Sequence, residues 1–287
     1  MGTRRLNLGC TFVQWSQVPV HAVFQVEPVL DHLATIKDEE WLIEPAAQTR
    51  SYRDLYGNRC RRLMLPAGRS EITYRATAEV PDATEELDVD APEIPPQDLP
   101  DEVMVYTLPS RFCLPDVLAN EAWSRFGATA PGYRRVQAIC DYVNQYLTFQ
   151  YGSTGPWSTA VDVHQSRYGV CRDFTHLAVT FCRALNIPAR YVFGYLPEIE
   201  VEHKDQPMDF AAWMQVWLGD RWYTFDPRNN VPRKGRVLIG VGRDAADVAM
   251  STAFGAPWLE SMVVVSEEIG TGREREDDVL GVRRNDE

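Results

Sequence analysis

The chain lacks the features that would place it in several large protein classes. No run of about 18 apolar residues occurs, so nothing in it reads as a membrane-spanning helix. No CxxC pair occurs among the six cysteines at 10, 60, 113, 140, 171 and 182, which argues against a structural zinc site; no metal and no cofactor is expected. Cys171 and Cys182 fall on one apparent helix about 16 Å apart, too far to bridge. No basic stripe suggests nucleic acid. Two arginines near the N-terminus are followed by no apolar core of a signal peptide. A cytoplasmic protein with free thiols and no membrane partner is the expectation.

What is present is ordinary globular material. The 287 residues are 45% hydrophobic and 24% charged, enough apolar side chain for a core and enough length for one large domain or two modest ones. The net charge of -12 is unevenly spread. Residues 79–102 hold ten acids, five prolines and no base, while residues 266–287 hold eight acids against four bases. With both segments set aside the remaining body is close to neutral. Both read as solvated spacers, the first a Pro-rich linker at 81–104, the second a disordered tail at 266–287.

Residues 1–80 read as a β-rich domain. Ile72, Tyr74, Ala76 and Ala78 alternate with polar neighbours, and Gly57-Asn58 and Pro66-Ala67-Gly68 mark turns. Helical spacing takes over after the linker. Val136, Ile139, Cys140, Val143 and Leu147 share one face of a helix over 134–147. A second helix runs from about 171 to 186 and ends at Asn186 and Pro188. Strands follow at 190–196, 211–218 and 221–226, the last two joined by Gly219-Asp220 as a two-residue hairpin loop. The order implies an α+β domain over 105–265.

Gly169 breaks the chain just before Cys171, which places this cysteine at a helix N-terminus, where unpaired N–H groups favour a thiolate. Pairing Leu218 with Arg221 puts Trp213 opposite Asp226 and position 211 opposite Arg228. Side chains 211, 213, 215 and 217 then share a face with Trp222, Thr224 and Asp226. Trp213, Trp217 and Trp222 are candidates for the wall of a peptide groove, with core packing the plainer alternative. Arg228 is placed to pair with Asp226 or to favour the thiolate. His176 lies off the thiol's face and reads as packing; His164 precedes the helix, and His203 falls in the loop 198–209. Gly240-Val241-Gly242 fits a dinucleotide pattern, but too little chain follows to complete a doubly wound sheet, so a glycine turn is expected.

Gly169-Val170-Cys171-Arg172-Asp173-Phe174-Thr175-His176-Leu177, the run Cys182–Tyr191, and Trp222-Tyr223-Thr224-Phe225-Asp226-Pro227 together resemble the bacterial transglutaminase-like cysteine peptidase family. The resemblance implies a papain-like core, preceded by a β-rich region, with a Cys–His–Asp triad in which Cys171 is the nucleophile and Asp226 the acid. It implies a thiol hydrolase or acyl transferase acting on amide bonds of a peptide or protein substrate. The family has His-Ala-Trp where this chain has Ala211-Ala212-Trp213, so the general base is missing. Two readings follow: an enzyme impaired by that loss, or an inactive peptide-binding pseudoenzyme.

Overall fold

A computed structural model describes residues 2–30, 34–202 and 207–270. His203 and residues 271–287 of the expected tail lie outside the described residues. The first six strands are β1 (Thr3–Ser16), β2 (Val20–Phe24), β3 (Thr35–Glu44), β4 (Thr49–Arg53), β5 (Arg59–Leu65) and β6 (Gly68–Pro81). Helices α1 (Asp101–Met104), α2 (Ala119–Phe126) and α3 (Tyr133–Tyr146) follow. The two-residue strands β7 (Thr148–Phe149) and β8 (Tyr168–Gly169) flank α4 (Ala160–Ser166). Helix α5 (Cys171–Ala184) leads into β9 (Ala189–Tyr195), β10 (Ala211–Leu218), β11 (Arg221–Phe225) and β12 (Val237–Gly242), and the described chain closes with β13 (Ser251–Phe254) and β14 (Trp258–Glu268). The class is α+β with a β-rich N-terminal region, as expected.

That β-rich region is a sandwich of two four-stranded sheets, β14-β1-β6-β3 and β13-β2-β5-β4. Alternation supplies its core: Leu6, Leu8, Cys10 and Phe12 of β1 meet Phe24, Leu63 and Leu65 of the facing sheet. Each sheet takes an edge strand from the far end of the sequence. Strand β14 pairs antiparallel with β1 from Leu6↔Glu268 to Trp15↔Trp258, and β13 pairs with β2. This corrects the expected division in two places. Residues 251–265 belong to the sandwich and not to the helical domain, and residues 266–268 are strand and not tail. Neither segment carries a motif, and the pairing joins residues more than 200 positions apart.

A third sheet, β11-β10-β9-β12, carries the helices. Met214, Val216 and Leu218 of β10 pack with Phe174, Leu177, Ala178 and Phe181 of α5 and with Val136, Ile139 and Val143 of α3. Further along the same face, Ala212 and Phe193 join the sandwich core instead. The N-terminal end of α5 therefore lies where the helical core meets the sandwich core.

The acidic linker is not a solvated spacer. Ala91 is buried and its carbonyl accepts the Tyr133 N–H at 3.0 Å. A Cβ at Gly132, where φ is +94°, would stand 2.3 Å from that carbonyl oxygen, so only glycine admits this contact. Glu93 accepts from Arg135 at 2.9 Å, Glu86 from Arg221 at 2.7 Å, and Glu85 pairs with Arg236. The linker's acids answer arginines of the helical domain, a complementarity that local charge counting does not reveal. Gly240 and Gly242 likewise lie inside β12 and not in a turn, each pressed against side chains from 58 or 247–248.

Candidate functional site

Cys171 is the first residue of α5, with Val170 as the extended residue before it. Gly169 is required there, because a Cβ would lie 2.7 Å from Cβ of Asp173. Asp173, fully buried in the first turn, accepts the Val170 N–H at 2.9 Å and hydrogen bonds from Thr154 and Arg172. The carboxylate thus closes the helix start as an N3 cap and offsets the macrodipole.

The hairpin register is the expected one, with Leu218 opposite Arg221. The β10–β11 ladder stops at Met214↔Phe225, whereas the β10–β9 ladder continues to Ala211↔Gly194. Residues 211–213 are thus paired on one side only, and the Cys171 sulfur takes up the open side. The thiol points to the Phe210 carbonyl, with Sγ 4.0 Å from the oxygen, and the N–H groups of Ala212 and Arg172 are directed at the sulfur. Burial still dominates: the thiol's pKa is pushed up to about 11, helped by the Asp209 charge and opposed by those N–H groups and by Arg228. At neutral pH the group is a thiol.

Asp226 has a different setting. It is 7% exposed and accepts from Arg236 Nη2 at 2.7 Å, Asn229 Nδ2 at 2.8 Å, and the N–H groups of Asn229 and Arg228 at 2.9 and 3.1 Å. Burial alone would raise its pKa, but the Arg236 charge and the Asn229 hydrogen bonds outweigh it and hold the pKa below the ordinary carboxylate value. Position 211 is the half-buried Ala211.

The other expected site residues fall as follows. Trp213 is 2% exposed and lies under the Arg236 guanidinium, 4.8 Å from the ring centroid. Its ring fills the space over Gly194, where a Cβ would approach it to 2.5 Å. It is therefore core and lines no groove. Trp222 is half-buried edge-to-face against Tyr106 and Trp217, with Arg190 4.1 Å from its ring centroid, and is likewise engaged in packing. Arg228 does not pair its side chain with Asp226; it lies 4.3 Å over the Phe149 ring and donates to Asn229. Its charge does favour the Cys171 thiolate.

His176 and His164 are both engaged in packing. His176 is buried, stacked on Phe112 at 5.2 Å, and its Nε2 accepts the Ala245 N–H at 3.1 Å. Burial lowers its pKa to about 3, so it is a neutral tie between α5 and the 243–247 turn. His164 stacks on Tyr146. Two residues near the thiol were not singled out from the sequence. Asp209 and Tyr151 both interact electrostatically with Cys171 or its neighbours, and Tyr151 is 53% exposed and packs edge-on against Phe149. Asp209 has the strand parity of position 211, a signal the sequence does carry; Tyr151 has none. Among the described residues no group of three or more His, Cys, Asp or Glu is arranged to hold a metal, and no helix is long and apolar enough to cross a membrane.

Residues 123–227 match the transglutaminase-like superfamily, a span that contains Cys171, position 211 and Asp226. A protein of Mycobacterium leprae strain TN, described as uncharacterised, is 32% identical over 221 residues, covering 72% of this chain and 77% of that one. Another from Mycobacterium tuberculosis H37Rv, also described as uncharacterised, is 35% identical over 111 residues, 36% of this chain and 35% of the other. The crystal structure of a candidate cysteine protease from Cytophaga hutchinsonii superposes with a TM-score of 0.86 at 30% identity, over 94% of this chain and 92% of that chain. Taken with the cysteine at a helix start beside antiparallel strands, these similarities show that the chain belongs to the transglutaminase-like superfamily.

Proposed function

We propose that the protein is a thiol-dependent hydrolase or acyl transferase acting on amide bonds of peptide-like substrates. The observation that carries this reading is the Cys171 sulfur at the open side of β10, with backbone N–H groups of Ala212 and Arg172 aimed at it. A thiolate formed there meets fixed donors and the positive end of α5, and the oxyanion of an attacked carbonyl meets the same helix start. Sulfur adds to the carbonyl carbon, the amine leaves, and a thioester remains for water or an amine to resolve. Hydrolysis needs only water and is the simpler outcome. The likeness to the Cytophaga protein supports peptide or protein substrates. In this reading Cys171 is the nucleophile, Asp226 the acid and Arg228 a cation beside the thiol. Six free cysteines, five of them buried, favour a reducing compartment, and we place the protein in the cytoplasm.

A second reading has its own observation. The thiol's pKa of about 11, with alanine at 211, fits a module that retains the cleft for peptide binding without turning substrate over. Acetylation by p-nitrophenyl acetate, followed by intact mass and peptide mapping, separates the two. The enzyme reading expects one acetyl group on Cys171, lost again on standing and absent in Cys171→Ser. A chain that stays unmodified while still binding peptides favours the binding module.

A further inference from the structure

Without an imidazole at 211, amide cleavage still requires a group that carries a proton from sulfur to the leaving nitrogen. Asp209 lies two residues ahead of Ala211, at the entry to β10. One of its oxygens, Oδ1, is fixed by the Phe210 N–H at 2.7 Å, and no other hydrogen bond to its carboxylate exists among the described residues. The carbonyl of that same Phe210 is the group 4.0 Å from the Cys171 sulfur. Carboxylate and thiol therefore contact the N–H and the C=O of one residue, Phe210, next to the short side chain of Ala211. Each structural alternative for Asp209 is missing: no arginine or lysine pairs with it among the described residues, and it caps no helix.

We propose that Asp209 is the general acid–base of this site, taking the Cys171 proton during attack and returning it to the departing amine. The proposal rests on the thiol reading given above. As the S–C bond forms, the thiol proton passes to the free Asp209 oxygen and the carbonyl π pair moves onto oxygen. The C–N bond then breaks as Asp209 gives its proton to nitrogen, leaving amine and thioester. Water adds to the thioester with its proton passing to Asp209, and sulfur departs with that proton, so that amide and water become acid and amine. Burial favours the protonated form of Asp209, which narrows the gap between the two groups that exchange the proton. The charged or titratable neighbours that interact with this pair are Arg228 and Tyr151 from the loops and Tyr191 from β9.

The two roles open to Asp209 predict opposite results. As a like charge beside sulfur it holds the thiol protonated; as a proton carrier it is needed for amide cleavage. In Asp209→Asn, which keeps the acceptor for the Phe210 N–H, alkylation of Cys171 by iodoacetamide at pH 7.5 should rise about threefold to tenfold. Release of p-nitroaniline from N-acetyl peptide p-nitroanilides should fall by about a hundredfold or more, with Asp209→Glu restoring it to within about tenfold of wild type. If Asp209→Asn speeds both reactions, or leaves anilide cleavage unchanged, Asp209 is a brake or a bystander and the proposal fails. It fails too if wild type is acetylated on Cys171 by p-nitrophenyl acetate yet never releases p-nitroaniline. If Cys171 resists p-nitrophenyl acetate, or Cys171→Ser still cleaves the anilide, the thiol reading itself falls and takes the proposal with it.

Discussion

The surroundings of Asp226 and of Cys171 are opposites. Asp226 is held by four hydrogen bonds, one of them from a guanidinium that also covers Trp213 and pairs with linker residue Glu85. Cys171 has one long contact to a carbonyl and two N–H groups, one from its own helix and one from a stretch of strand that β11 does not pair. The acid is determined several times over; the thiol is determined by the start of one helix. Asp226 thus owes its geometry to Arg236 and the 226–230 turn, and it holds that geometry with alanine at 211. What alanine changes falls on the thiol, whose pKa is left to burial and to neighbouring charges.

The largest expected effect tests the firm half. Asp226→Ala leaves Arg236 buried with Glu85 as its remaining partner and should cost about 3–5 kcal/mol, read from urea unfolding midpoints. A loss under about 1 kcal/mol would show that the acid is not the anchor described.

The loose half is tested by Ala211→His. An imidazole between thiol and acid should bring the thiol pKa down from about 11 and raise iodoacetamide alkylation at pH 7 by about tenfold to a hundredfold. A folded variant with an unchanged pH–rate profile would mean that Asp226 and Cys171 do not share a site. A variant that loses about 1–3 kcal/mol of stability with no gain in rate would mean the space is already filled.

His176 offers a finer comparison, because it anchors the same helix as Cys171 by burial and not by charge. Its pKa is lowered in the fold from 6.5 to about 3, so the neutral form is required. Its stabilising contribution is complete above about pH 6.5 and is lost as pH falls toward 3, at roughly 1.4 kcal/mol per pH unit. His176→Gln, whose amide oxygen is able to accept the Ala245 N–H, should flatten the stability profile between pH 6 and 4; an unaltered slope would assign acid sensitivity to other groups. Smallest is Glu85→Gln, which weakens one of two carboxylates on Arg236 and should cost about 1–2 kcal/mol in thermal or urea unfolding. No loss at all would mean that the linker rests on the domain without holding it.

The parts of this arrangement that were legible in the sequence are those fixed by local chemistry. Gly219-Asp220 set the β10–β11 register, and Gly169 with the apolar stripe of α5 set Cys171 at a helix start. The unread parts are long-range. Glu85 meets Arg236 across 151 positions, and nothing near either residue announces it. Trp213 reads from alternation as either groove wall or core, and contacts with Val192, Val241, Gly194 and Arg236, all distant in sequence, make it core. Asp209 shares the parity of 211, but it lies just before the strand and outside the runs that carry the family resemblance.

The return of β13 and β14 to the sandwich also sets an order of assembly on the ribosome. Residues 2–81 emerge first and supply three strands to each sheet, yet β1 and β2 remain bare edges until residues 251–268 arrive. In the interval those edges are open to strand addition by other nascent chains, a hazard that closed sheets avoid. The inserted helical domain is complete before the sandwich is, so the N-terminal end of the thiol-bearing helix is made while the sandwich core it abuts is still unfinished. Replacing β14 with a linker, or slowing translation between residues 81 and 251, should therefore show up first as aggregation of the newborn chain, ahead of any change in the chemistry of Cys171.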